Sequence, residues 1–99
     1  MIDTHKSISD TIFCALDLET TGTNAALHMI VEVGIVRFTI DRIIDAYESL
    51  VNPGVKIPED VVAIHGINDD IVRGAPHITD ILGDISRVIK DSVLVIHNP

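Results

Sequence analysis

The sequence is poor in aromatic residues, cysteine and positive charge, and each scarcity excludes a class of function. Its three aromatic residues, Phe13, Phe38 and Tyr47, are too few for a platform that stacks nucleic-acid bases on rings. The seven Lys and Arg residues are outnumbered by fifteen Asp and Glu, giving a net charge of -8. No basic groove for a polyanion is therefore visible. If the protein binds a polyanion, metal ions are the expected intermediaries.

The single cysteine, Cys14, lies in an apolar run and is interpreted as a small buried side chain. The first ten residues are polar and lack the apolar core of a signal peptide. No apolar run approaches the length of a transmembrane helix. We therefore expect a cytoplasmic protein without a membrane partner, with a polar tail over residues 1–10 and one small domain over residues 11–99.

A sheet is predicted in the first half of the chain, where β-branched residues abound; the whole sequence contains 17 Ile and 11 Val. Residues 11–18 are continuously apolar, a pattern typical of a strand buried on both faces. Residues 30–39 and 43–51 are the next predicted strands, and Asp41 and Arg42 form a tight connection between them. Short connections favour an antiparallel meander of three strands.

A turn and a short helix are predicted next. Asn52, Pro53 and Gly54 have the order typical of a type II turn. Pro58 is compatible with the first turn of a helix, and Gly66 is a plausible residue to end it.

The clearest predicted helix follows Pro76, and residues 92–97 form a fourth predicted strand. A helix between the third and fourth strands favours an α/β arrangement in which the fourth strand lies parallel to the first. The helix has one apolar stripe, typical of packing on a sheet. Its members are Ile78, Ile81, Leu82, Ile85, Val88 and Ile89.

Two acids, Asp17 and Glu19, end the first predicted strand. Side chains at i and i+2 share one face of a strand, roughly 6.5–7 Å apart. Two carboxylates so close repel each other, and a cation between them would relieve the repulsion. Carboxylate oxygens suit Mg²⁺ or Mn²⁺. Residues 19–28 are predicted to be a loop with turn residues. The alternative is that the two acids merely begin a solvated loop, which this short pattern does not exclude.

The parallel arrangement predicts where these acids lie. The C-terminal ends of the first and fourth strands would be adjacent, which places Asp17 and Glu19 near His97 and Asn98. In open α/β sheets, ligands usually bind at that end of the strands. His65 is either a histidine favoured by the end of its helix or a residue lining a nucleic-acid site.

The segments LDLETTG, IVEVGIVRF, VNPGVKIP, AIHGI and VIHNP occur in the order and approximate spacing of one family. The chain resembles the DEDD-type, DnaQ-like 3′–5′ exonucleases of the ribonuclease H-like fold, most closely the proofreading exonuclease (epsilon subunit) of bacterial DNA polymerase III. The resemblance covers nearly all of the chain after Asp10. It implies a mixed sheet and removal of nucleotides from a single-stranded DNA 3′ end by two-metal hydrolysis of the phosphodiester.

The resemblance also implies residue roles. Asp17 and Glu19 match the first catalytic motif, with Asp17 touching both Mg²⁺ or Mn²⁺ ions and Glu19 one. The other matching positions are expected to bind the substrate: Leu18, Thr20, Thr21, Gly22, His65, His97 and Asn98.

The sequence departs from the family pattern after Pro99. The aromatic and aspartate of the second motif, and the third motif with its general-base histidine and last metal-binding aspartate, are not in it. We therefore expect a truncated, N-terminal part of the domain, with an incomplete metal site and little or no activity alone. Contacts with a polymerase catalytic subunit are expected to lie in sequence not present here.

Two alternatives remain open. The first is a non-catalytic, self-associating interaction module, because the edge of the fourth strand would be bare and apolar, and such edges pair with other chains. That edge predicts a homo-oligomer. The second is an RNA-degrading member of the same family, because two acids and a threonine loop do not sense a 2′-hydroxyl.

Overall fold

The computed structural model describes residues 8–22 and 29–97, which form a four-stranded mixed sheet with three α-helices. The strands are β1 (Phe13–Thr20), β2 (Ile30–Phe38), β3 (Ile43–Leu50) and β4 (Val93–His97). The helices are α1 (Glu59–His65), α2 (Asp69–Val72) and α3 (Ile78–Ile89), and a 3₁₀ turn, Ile8–Asp10, precedes β1. None of the helices in these described ranges is long and apolar enough to cross a membrane.

The sheet has the order β3-β2-β1-β4 and confirms the predicted topology. β1, β2 and β3 form the antiparallel meander, in which Leu16 lies opposite Ile35. The backbone N–H of Thr39 donates to the carbonyl of Arg42 at 2.9 Å and closes the tight connection. β4 runs parallel to β1, with Ile96 beside Leu16. The fold is therefore the α/β arrangement predicted from the sequence.

The main core lies between α3 and one face of the sheet. Leu82 of the predicted helical stripe is 41% exposed, so the buried part of the stripe is narrower than predicted. The Arg37 guanidinium donates to the carbonyls of Val88 and Lys90, at 2.7 and 2.9 Å, which satisfies carbonyls at the end of α3. The buried residues of this core are Cys14, Ile30, Val33, Ile35, Val51, Ile78 and Ile81.

β1 is buried on one face only, so the prediction of a strand buried on both faces is wrong. Cys14 is fully buried beneath α3, whereas Asp17 on the other face is exposed. Phe13 and Ala15 on that second face are half-buried, and Phe13 stacks on Phe38 with ring centroids 5.6 Å apart. The apolar run on this face reflects a contact between neighbouring strands and not a covering helix.

A second, smaller core lies under α1 and α2. Gly54 has a left-handed backbone with φ of 74°, as the predicted type II turn requires. Gly66, with φ of 76°, is the C-cap of α1, so the predicted helix end is confirmed. Pro58 precedes the first residue of α1 as its N-cap, one position earlier than predicted. The buried members of this core are Val31, Ile57, Ile67 and Val72.

α2 was not predicted from the sequence because it is four residues long and has no apolar periodicity. The one sequence feature that indicates α2 is its N-cap residue, Asn68. The Asn68 side chain accepts a hydrogen bond from the backbone N–H of Ile71 at 2.9 Å. Asp69 and Asp70 then occupy the first turn, where acids are favoured.

The boundaries differ from the predicted ones by one or two residues. β1 begins at Phe13 and continues through Thr20, so the first two residues of the predicted loop, residues 19–28, belong to the strand. Residues 23–28 of that loop, residues 1–7 of the predicted tail, and Asn98 lie outside the described residues.

Candidate functional site

Asp17 and Glu19 lie on the face of the sheet opposite α3. Side chains alternate along β1, so Leu16 and Leu18 pack against the main core while the two acids point the other way. Asp17 is exposed and Glu19 is half-buried. The shared face predicted for the acids is thus the face that α3 leaves open.

Two further carboxylates reach the same face from β2 and β3. Glu32 lies directly opposite Glu19, and Glu48 lies one strand farther from β1. Burial raises the pKa of Glu32 above its ordinary value, and the charges of Glu48, Glu19 and Asp17 raise it further. These acids therefore act on one another. We call Asp17, Glu19, Glu32 and Glu48 the acidic face.

Sequence reasoning missed Glu32 and Glu48 as members of the site. Glu32 interrupts the apolar segment IVEVG, which was a visible signal. Its position opposite Glu19, however, depends on the register between β1 and β2, and a single sequence does not supply that register.

Gly34 separates two of the acids on this face. It pairs with Asp17 on one side and with Glu48 on the other. A Cβ at this position would meet nothing closer than the Asp17 carbonyl oxygen at 3.9 Å, an ordinary contact. The fold therefore has room for a Cβ here, and the glycine leaves the space between the carboxylates open.

The residues after Glu19 turn sharply at the end of β1. The Thr20 hydroxyl donates to the carbonyl of Gly22 at 2.6 Å, and the Thr21 N–H donates to the carbonyl of Met29 at 2.9 Å. Thr21 is buried, and Thr20 and Gly22 are half-buried. Backbone and hydroxyl groups of this segment, residues 20–22, therefore lie next to the acids in a fixed turn.

His65 and His97 approach this end of β1 from two directions. His97 is the neighbour of Asp17 on β4, so the predicted proximity of these two residues is confirmed, and the His97 side chain is exposed. The Nε2 of His65 lies 3.1 Å from the Thr20 carbonyl oxygen. The Leu18 side chain packs against the main core, which leaves only its backbone for contacts on the acidic face.

The donor chemistry fits a hard cation, although the set is small. Within residues 8–22 and 29–97, no three His, Cys, Asp or Glu side chains converge as a metal-binding group. On β1, Asp17 and Glu19 supply carboxylate oxygens on one face. Mg²⁺ is commonly held by one or two carboxylates, with waters and substrate phosphates completing its shell. The two acids fit that partial coordination.

Comparison with known protein families gives one match over most of the chain. The family model described as Exonuclease (RNase_T) matches residues 14–99. Exonucleases of this family generally use divalent metal ions.

Two curated relatives carry polymerase names. The DNA polymerase III subunit epsilon of Treponema pallidum is 43% identical over 86 residues, which is 87% of this chain and 40% of that protein. The PolC-type DNA polymerase III of Bacillus subtilis is 32% identical over 94 residues, 95% of this chain and 6% of that protein. The chain therefore spans less than half of the length of either relative.

The solved structures show the same fold. Exonuclease I of E. coli, solved in complex with a 5cy-dA13 oligonucleotide, matches with a TM-score of 0.71 and 17% identity. The match covers 88% of this chain and 20% of that one. This similarity, with the mixed sheet, confirms the expected ribonuclease H-like fold.

Proposed function

This chain belongs to the exonuclease family, and on that premise we propose that it forms the front part of a 3′–5′ exonuclease domain of the DNA polymerase III proofreading type. Such a domain would remove nucleotides from DNA 3′ ends by metal-dependent hydrolysis of the phosphodiester. One observation carries the proposal: Asp17 and Glu19 share the open face of β1, with His97 beside Asp17.

The proposed ligands of Mg²⁺ or Mn²⁺ are Asp17 and Glu19, with two ions in the complete family site. When bound, the ions would neutralise the phosphate and supply the activated water. Without a cation, the acidic face would repel a phosphate group, and the net charge of -8 would add to the repulsion. Binding of the nucleic acid is therefore expected to require the metal.

The remaining roles concern the terminal nucleotide. The turn of Thr20, Thr21 and Gly22 is held beside the acids by its own hydrogen bonds, and we assign it to line the position of the terminal nucleotide. His97, next to Asp17, is assigned to contact the same nucleotide.

The test measures how tightly the purified chain binds a fluorescent single-stranded DNA as the Mn²⁺ concentration is increased. We expect weak binding that depends on Mn²⁺ and is lost in Asp17→Ala. Asp41→Ala, which removes an exposed acid from the β2–β3 turn, is the matched control and should bind as the wild type does. Equal binding by all three proteins with and without Mn²⁺ would contradict the proposed site. An RNA strand of the same sequence tests the RNA-degrading alternative.

Hydrolysis is a separate readout of the same experiment. We expect little or no release of mononucleotides from a 3′-labelled strand, because only two acidic ligands of the family pattern are present. Robust digestion that disappears in Asp17→Ala would overturn that expectation and would mean that this chain completes the site in another way.

A second proposal concerns self-association through β4. This strand ends the sheet, so its outer edge has no partner among the described strands. Leu94, Val95 and Ile96 are 44%, 48% and 62% exposed. We propose that a second copy of the chain pairs with this edge. Light scattering at high concentration should give at least a dimeric mass, and Val95→Lys should lower it. A monomeric mass for the wild type would refute the pairing.

A further inference from the structure

His65 links two parts of the molecule through both of its ring nitrogens. The backbone N–H of Ile67 donates to Nδ1 at 3.0 Å. On the other side of the ring, Nε2 lies 3.1 Å from the carbonyl oxygen of Thr20. Ile67 is buried in the second core, and Thr20 is the last residue of β1. One imidazole thus connects the α1–α2 layer to the end of the strand that carries Asp17.

These two partners determine the protonation state of the ring. A backbone N–H only donates, so Nδ1 must accept and cannot carry a proton. A carbonyl oxygen only accepts, so Nε2 must carry the proton and donate it. The arrangement requires the neutral imidazole with its proton on Nε2, since the doubly protonated ring could not accept from Ile67.

The same bonds fix the turn beside the acids. The Thr20 carbonyl follows Glu19 directly, and the next N–H, that of Thr21, is held by Met29 at 2.9 Å. His65 is half-buried, and its two ring nitrogens are both engaged by the backbone. The ring therefore has no free nitrogen with which to bind a substrate.

We propose that His65 is a positioning residue, which as the Nε2–H tautomer holds the Thr20 carbonyl and so places the turn of residues 20–22 beside Asp17 and Glu19. The significance of that placement rests on the proposed function. The role differs from the one implied by the family resemblance, in which this histidine lines the substrate site.

The first test is the tautomer itself. A long-range ¹H–¹⁵N NMR spectrum of the full chain at neutral pH should show a protonated Nε2 and an unprotonated Nδ1 for His65. A proton on Nδ1 would overturn the proposal, because the Ile67 N–H could then not be accepted.

Two isosteric substitutions separate the two bonds. His65→Gln can place an amide N–H where Nε2 lies and so keep the bond to Thr20. His65→Asn can place an amide oxygen where Nδ1 lies and so keep the bond from Ile67. We expect hydrogen exchange at the Thr21 amide to be about two- to tenfold faster in His65→Asn, as loss of one hydrogen bond implies, and near the wild-type rate in His65→Gln. Equal rates in both variants would refute the proposal.

The core amide of Val33, which is 1% exposed, serves as the control for folding, since its exchange should be unchanged in both variants. If His65→Asn accelerates hydrogen exchange at the Val33 amide as much as at the Thr21 amide, the histidine stabilises the whole fold and the positioning role is refuted.

Broadening of amide signals by Mn²⁺ gives a second measurement, which would not change if His65 only stabilised the fold. Bound at the acids, the ion should broaden the amide signals of residues 20–22 in the wild type and in His65→Gln. In His65→Asn, the broadening of these signals should change relative to that of Asp17. Identical broadening patterns in both variants would count against the placement. If Mn²⁺ broadens no signals around Asp17 in the wild type, the proposed metal function fails, while the tautomer and the exchange rates still decide the link through His65.

Discussion

The two faces of the sheet use alternate residues of the same strands for opposite purposes. On the α3 face, Leu16 and Ile35 pair across β1 and β2 within the main core. One residue along each strand, Asp17 and Gly34 pair on the acidic face. The first face excludes water and holds the fold together, whereas the second keeps charge and open space. Side chains alternate between the two faces along each strand, so a register shift of one residue would move the apolar side chains to the acidic face and the acids into the core.

The contrast predicts that stability depends mainly on the α3 face and metal binding on the acidic face. The pKa of Glu32 is raised first by its burial and then by the charges of Glu48, Glu19 and Asp17, so an ionised carboxylate is less favourable at this position of the acidic face than in the unfolded chain. Substitutions on the two faces should therefore change different measurements.

The largest effect is expected for Ile35→Ala on the core face. Ile35 is 1% exposed, and truncation of such a residue costs about 2–5 kcal/mol of unfolding free energy. Urea denaturation followed by circular dichroism measures the loss. Val36→Ala, at the half-buried neighbouring position on the other face, is the matched control and should cost clearly less. Equal losses of unfolding free energy in the two variants would show that the two faces contribute equally to stability.

Asp17→Asn should weaken metal binding without lowering stability. Substitutions around metal ligands weaken binding about 10- to 100-fold, so we expect Mn²⁺ affinity to fall by at least about tenfold, measured by paramagnetic broadening. The unfolding free energy should stay the same or rise, because Asp17 is exposed and lies near other acids. Asp41→Asn should leave the affinity unchanged. A large loss of stability in Asp17→Asn would mean that the acid serves the fold.

Gly34→Ala tests the open space between the acids. Glycine in a strand costs roughly 0.5–1 kcal/mol, and the structure has room for a Cβ, so the unfolding free energy should rise by about that amount. Mn²⁺ binding should weaken, since the new side chain occupies the space between Asp17 and Glu48. A Cβ at Gly83 in α3 would meet nothing within 4 Å, so Gly83→Ala is the control and should stabilise the protein without affecting Mn²⁺ binding. If the Gly34 variant binds Mn²⁺ as tightly as the wild type, the space between Asp17 and Glu48 is not needed for metal binding.

The smallest effect is expected for Glu32→Gln. The pKa of Glu32 is raised above its ordinary value of 4.5, so the folded state holds the proton more tightly than the unfolded chain does. Its contribution to stability is therefore complete below pH 4.5 and is lost as the pH rises through the raised value. Glu32→Gln should stabilise the protein at neutral pH by about 0.2–1 kcal/mol, the range for cross-strand pairs, and not at acidic pH.

Thermal unfolding at two pH values measures this difference. Glu59→Gln is the control, because Glu59 lies in the first turn of α1, where its charge is favourable. Its removal should not stabilise the protein at neutral pH. A Glu32→Gln effect that is the same at both pH values would show that packing, and not charge, is responsible.

The parts of the fold predictable from the sequence are those with a local signature. The stripe from Ile78 to Ile89 predicted α3, and the short connection at Asp41 predicted the meander. The parallel pairing of β4 followed from the helix that precedes it, and it placed His97 beside Asp17 as expected.

The rest depended on contacts between distant residues. Glu32 and Glu48 join the acidic face through strand register, and His65 reaches Thr20 across 45 positions of sequence. The exposure of Asp17 depends on which face α3 covers, whereas the apolar run around it suggested burial on both sides. Such facts are properties of packing, and periodicity does not encode them.

The parallel pairing of β1 and β4 has a mechanical consequence. Phe13 lies beside Val93 at one end of the pair, and Asp17 lies beside His97 at the other. A pull applied between Phe13 and His97 would draw the two strands in opposite directions along their length. The hydrogen bonds between them would then bear the load together, in shear, and would not open one after another as in unzipping. The strand that carries both acids is thus clamped against extension, and tension on the chain would have to break that clamp as a unit before it displaced Asp17.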